Sequence, residues 1–136
     1  MFQAKNINTT DTLMSLAEDM HKTVSIKMTG DDPTAYSERL NELCSLVATS
    51  GKALADAKWH KNRAIKNSIL KAIADTKVLA LPASTLNELV KADAADISYL
   101  VDFIEQIDKE IKYQIEALRT LISLAKTEMS AAIYQK

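Results

Sequence analysis

Between Asp93 and Ile133 apolar side chains return every three or four residues, and neither Gly nor Pro interrupts them. Ile97, Leu100, Ile104, Ile107, Ile111, Ile115, Leu118, Ile122, Ala125, Met129 and Ile133 fall within about one third of a helical wheel. The spacing predicts one helix over about 93–134 with an unbroken apolar stripe. At about 1.5 Å per residue this helix is about 60 Å long, so another long helix, or a second subunit, must lie along it.

Upstream, Leu13, Leu16, Ala17, Met20, Val24 and Met28 predict a shorter helix over about 10–28, capped by Thr10 or Asp11. Gly30-Asp31-Asp32-Pro33 ends it, because Pro33 lacks a backbone donor and biases Asp32 away from helical geometry. A second long helix is expected over about 34–75, with the stripe Tyr36, Leu40, Leu43, Val47, Leu54, Ile65, Ile69, Ala72 and Ile73. Lys58 and Lys61 interrupt that stripe, and Gly51 marks either a kink or a close approach of another backbone. Pro82 breaks the pattern, and Ser84 is placed to cap a short helix over about 84–91.

The fold expected is all-α: a single domain over 1–136, a long antiparallel helical hairpin with a shorter N-terminal helix, three to four helices in an elongated bundle. If the connector centres near residue 84, facing positions sum to about 169, which sets Lys61 beside Asp108 as a candidate interhelix pair.

Composition narrows the class. The chain has 136 residues, 47% of them apolar, with two Gly and two Pro, as expected of one helix-rich domain. No apolar run reaches membrane-spanning length and MFQAKNINTTDT lacks the features of a signal peptide, so no membrane association and a cytoplasmic location are expected. The single cysteine, Cys44, sits in the apolar run ELCSLV and reads as a buried, inert thiol.

The net charge of −1 conceals a segregation: residues 1–51 carry four Lys/Arg against seven Asp/Glu, 52–77 seven against two, and 78–136 six against nine. The basic middle is a flag for nucleic acid, but the acidic final helix can neutralise it within the same chain.

Candidate chemistry is sparse. Ser50-Gly51-Lys52 resembles the tail of a phosphate-binding loop but lacks the earlier Gly, since Leu46 stands there, and the preceding strand. Glu18-x-x-His21 has the spacing of a metal-binding helix pair, yet His60, the only other histidine, has Ala57 three residues before it. Asp56, four before His60, has the spacing of a solvated pair. No nucleophile and base can be paired. The expectation is a protein that is not an enzyme and that uses neither metal nor cofactor.

The most informative surface is the outer face of the second helix. Lys52, Trp59, Arg63, Lys66, Leu70 and Lys77 lie within about 60° on the wheel, opposite the apolar stripe. A tryptophan among cations can stack a base of single-stranded DNA or RNA while the cations hold phosphates. The favoured alternative is that Trp59 and Leu70 mark where the first helix or a second subunit packs, with lysine stems at the rim.

GKALADAKWHKNRA, with SYLVDFIEQIDKEIKYQIEALRTLISLAKTEM after the connector, resembles a group of small helical proteins encoded by phages and prophages of gut bacteria. The likeness covers roughly residues 45–130 and is carried by the Gly-Lys and Ala-Asp-Ala-Lys-aromatic-His elements around Trp59 and by the segments around Val101 and Arg119. It implies a bacterial host cytoplasm and no mechanism. The function expected is a phage-type interaction protein that forms homo-oligomers and acts through its surface on a protein partner. A nucleic-acid-binding accessory using the basic Trp59 face is the alternative.

Overall fold

A computed structural model describes residues 6–28 and 30–134; the outermost positions of the expected domain, 1–5 and 135–136, lie outside the described residues. The described chain is all-α, with helices α1 (Thr10–Ser25), α2 (Pro33–Ala74), α3 (Thr76–Leu79), α4 (Ala83–Asp93) and α5 (Ala95–Tyr134).

Local chemistry sets the boundaries. Thr9, not Thr10 or Asp11, caps α1: the Thr12 N–H donates to Thr9 Oγ1 at 3.2 Å. α1 stops at Ser25, short of the expected Met28, which lies beyond the helix and is exposed. Asp32 caps α2 by accepting from the Ala35 N–H at 2.8 Å, with Pro33 in the first turn, where its missing donor costs nothing. The second helix ends at Ala74 because the Asp75 carboxylate accepts from the backbone of Lys77 and Val78 and so begins α3, an element the hydrophobic period had not predicted. α4 starts after Pro82 with no side-chain cap, so Ser84 does not serve as one.

One core joins three helices. α1 contributes Leu13, Ala17, Met20 and Val24; α2 contributes Leu43, Ala53 and Ala57; α5 contributes Leu100, Val101, Ile104, Ile107, Ile111, Ile115 and Leu118. The expected stripe of α5 is therefore the buried one from Leu100 through Leu118, with Ile97 half-buried at its start. On α2 the buried face lies roughly 90° round the wheel from the expected stripe. Leu54 and Ile65 are half-buried and Ile69 and Ile73 exposed, while Ser50, Ala53, Asp56 and Ala57 are buried. Small side chains at the centre of α2 let α1 and α5 approach it together, and the bulkier residues are left at the margins. Cys44, expected inside, is exposed, because its neighbour Leu43 takes the inward position.

Polar contacts mark which positions meet. Arg39 Nη2 donates to Gln114 Oε1 at 3.1 Å, Ser50 Oγ to Asp108 Oδ1 at 2.7 Å, and Ser68 Oγ to Asp93 Oδ2 at 2.6 Å. Asp108 thus meets Ser50, about three turns from Lys61 along α2. The expected register fails because α3 and α4 fold back on α2, where Val78, Leu86 and Val90 line a shared groove with Ala72 and Ser68. The chain consequently turns earlier than residue 84.

Beyond Leu118 the cover on α5 thins: Ile122 and Ala125 are half-buried and Met129 and Ile133 are exposed. α2 runs unbroken through Gly51, whose φ is not positive, and a Cβ built there meets nothing within 4 Å. Gly51 is neither a kink nor a close approach. Gly51→Ala should stabilise the fold by about 0.5–1 kcal/mol, because alanine has the higher helix propensity and the site has room. Urea unfolding followed by circular dichroism measures this as a raised midpoint with an unchanged slope.

Candidate functional site

The outer face of α2 brings together part of the expected set. Trp59 is half-buried, and the Arg63 guanidinium carbon stands 5.2 Å from its ring centroid. Residues four apart on a helix are surface neighbours, so this cation–π contact follows directly from the spacing. His60 meets Trp59 edge-on, with centroids 5.0 Å apart. Lys66 and Leu70 continue the face and are exposed. Lys77 does not belong to it, because α2 has ended and Lys77 sits in α3.

Lys52, at the other end of the face, is engaged with the chain that leads into α1. Its Nζ donates to the Asn6 carbonyl at 2.8 Å and to Asp56 Oδ2 at 2.6 Å. The same carboxylate oxygen accepts from the Asn8 backbone N–H and from Asn8 Nδ2, each at 3.1 Å. His60 Nε2 lies 2.7 Å from the Asn8 carbonyl, which can only accept, so this nitrogen carries the proton. Lys52, Asp56 and His60, four residues apart in turn, form a clasp along one face of α2 that holds Asn6–Asn8. The Asp56–His60 pair read from spacing is replaced by this wider arrangement. Periodicity offered no sign of it, because Asn6 and Asn8 precede α1 and lie far away in sequence.

The second polar centre lies between α2 and α5. Asp108 is buried, accepts from Ser50, and pairs with Lys112 Nζ at 2.8 Å, one turn along its own helix. Lys61, the partner expected from the sequence, is not among its contacts for the reason of register given above. Burial alone would raise the Asp108 carboxyl, but hydrogen bonds from Lys112 and Ser50, with the charges of Lys112 and Lys58, hold it below the ordinary value of 3.8. Asp56 is likewise lowered: burial opposes its ionisation, and the bonds from Lys52 and Asn8 overcome it.

The grooves are shallow and largely apolar. One of about 490 Å³ lies between α1 and α5, lined by His21, Val24, Phe103, Ile107 and Glu110 among others. His21 leans on Phe103 with ring centroids 5.5 Å apart, and Tyr99 stacks on Phe103 at 6.1 Å. A second groove, of about 470 Å³, lies between the start of α2 and the tail of α5, lined by Asp31, Pro33, Tyr36, Leu121, Leu124 and Met129 among others. Among the described residues no group of three or more His, Cys, Asp or Glu is placed to hold a metal ion. No described helix is long and apolar enough to cross a membrane.

Comparison with protein-family models, with curated proteins and with solved structures finds no match. A functional reading therefore rests on surface chemistry. The described surface offers two exposed apolar ends and one basic, half-aromatic face partly engaged by its own chain.

The lowered carboxyls give the stability a definite pH dependence. A group whose folded value is depressed stabilises fully above its unfolded value, and that contribution is lost as pH falls through the folded value. Asp108→Asn should cost about 1–3 kcal/mol at pH 7, where it removes an ionised partner of Ser50 and Lys112. The difference from the unaltered protein should shrink as pH drops below 3.8, as measured by denaturant midpoints across a pH series.

Proposed function

We propose that the chain is a non-enzymatic helical interaction protein, built as an elongated antiparallel hairpin of α2 and α5 braced by α1, that associates with itself and with a protein partner through its surface. The descending order of contacts, Arg39 with Gln114, Ser50 with Asp108 and Ser68 with Asp93, supports the antiparallel arrangement. The observation that carries the function is the distribution of exposed apolar side chains. Ile69, Leu70, Ile73, Leu79, Leu81 and Leu89 lie at the α2–α4 end, and Leu121, Leu124, Met129 and Ile133 at the other. Apolar groups concentrated at two sites mark surfaces that another molecule covers. The phage-like strings around Trp59, Val101 and Arg119 fit a small accessory of this kind acting in a bacterial cytoplasm.

Binding of single-stranded nucleic acid at Trp59 draws less support. Arg63 already sits over the indole and Lys52 is engaged by Asp56 and Asn6, so two of the cations expected to hold phosphates are committed within the chain.

Sedimentation over a roughly hundredfold dilution in the micromolar range, with Trp59 emission recorded on the same samples, tests the reading. The expected result is a concentration-dependent mass above the monomer and Trp59 emission indifferent to added oligonucleotides. A monomer at every concentration, with emission quenched by single-stranded DNA and restored by salt, would overturn it in favour of nucleic-acid binding.

A further inference from the structure

Resting on the interaction reading above, we infer that the outer face of α2 from Trp59 to Ile73 is the surface on which a protein partner docks, and that the partner presents an acidic amphipathic helix.

Spacing is the first observation. Trp59, Asn62, Lys66, Ile69 and Ile73 follow one another in steps of three and four, the spacing by which a second helix runs along a first. They lie within about 80° of one another on the wheel, and roughly 140° round from the face that Leu43, Ser50, Ala57 and Ser68 turn inward. The strip is therefore the side of α2 directed away from the core, and it is about 21 Å long. Asn62, Lys66, Ile69 and Ile73 are exposed, and Trp59 is half-buried. Ile69 and Ile73 are 44% and 59% exposed, with Leu70 beside them at 53%. Apolar side chains at one end of a strip and a tryptophan at the other are the anchors on which interfaces between proteins are built.

Charge is the second observation, and it selects the partner. From Ala57 to Ala74 the chain has no Asp or Glu, while Lys58, Lys61, Arg63, Lys66 and Lys71 fall within that span. None of these is in an ion pair among the described residues, whereas Lys52, Lys91, Lys109 and Lys112 each have a carboxylate partner. Lys66 lies within the strip, Arg63 along one edge and Lys58 along the other. A helix that covers Ile69 and Ile73 is laid against these cations, and acidic residues on its flanks complement them.

Other occupants fit less well. A second copy presenting the same strip brings no acid to the contact and sets like charges together. A nucleic-acid strand uses the cations but not Ile69 and Ile73, and the Trp59 ring on which a base would stack already has the Arg63 guanidinium carbon 5.2 Å from its centroid.

The test titrates the full chain into two fluorescently labelled peptides of about three heptads, with Leu at the a and d positions and either Glu or Lys at e and g. The expected result is one-to-one binding of the Glu peptide, at least about tenfold tighter than the Lys peptide, with Trp59 emission shifted to the blue. Arg63→Glu with Lys66→Glu, at two exposed positions, should invert that preference. Circular dichroism verifies that this variant keeps its helices, and its gain of the Lys peptide separates lost charge from a lost fold. Equal binding of the two peptides, a preference indifferent to the charge-reversed pair, or binding of neither overturns the inference. Displacement of the Glu peptide by a single-stranded oligonucleotide at lower concentration than unlabelled Glu peptide requires assigns the face to nucleic acid and overturns it as well. Sedimentation of the same samples keeps the two readings apart. A concentration-dependent oligomer that binds no peptide overturns the docking face and leaves self-association standing, while a monomer that binds no peptide overturns both.

Discussion

Unequal helix lengths govern this molecule. α2 and α5 have 42 and 40 residues while α1 has only 16, so three helices overlap along little more than a third of the length. Within that stretch Leu13, Leu43, Ile104 and Ile111 are sealed from solvent; outside it the same kinds of side chain are bare. Burying one Leu or Ile contributes about 1.5–3 kcal/mol, so stability is concentrated where the overlap is. The short helix therefore decides where the long ones are held.

Polar groups do a different job. Arg39 is buried and ties the end of α1, through the carbonyls of Val24 and Ile26, to Gln114 of α5, while Gln114 Nε2 also donates to the Val24 carbonyl. Ser50 and Asp108 are both buried and bond each other. Apolar stripes tolerate sliding by a turn, because one turn presents much the same surface as the next. A buried carboxylate that must keep its hydroxyl and its ammonium does not, and sliding α5 past α2 would strand it. Ser50 and Asp108 thus act on register, whereas the isoleucines act on affinity.

Much of this was legible in the chain. The period of α5 pointed to the correct face from Leu100 to Leu118, and Gly30 to Pro33 marked the break between α1 and α2. What escaped the pattern did so for physical reasons. Ser50, Ala53 and Ala57 score as weakly apolar or polar, yet they make the closest part of the core because they are small. Cys44 looked inward because its neighbours are apolar, but Leu43 takes the inward position on α2 and the next residue is turned about 100° away from it. Asp75 reset the helix through a local cap that averaging over periods hides. At the candidate surface, the adjacency of Trp59 and Arg63 follows from spacing alone. The pairing of Lys52 with Asp56 has the same spacing, but its engagement with Asn6 does not follow from it, since Asn6 precedes the first helix and carries no pattern.

The clasp of Asn6–Asn8 on Lys52, Asp56 and His60 is made of polar contacts at the margin of the core, with Ile7 as the one half-buried apolar side chain between them. It can therefore open as a small unit of its own while the helices stay folded. The amide of Asn8 then exchanges its hydrogen by local opening, at a rate separate from the global unfolding that exposes the amides of Ile104 and Ile111. Each such opening also uncovers the flank of α2 beside Trp59, so the accessible chemistry of that face is set in part by how often the segment leading into α1 steps aside.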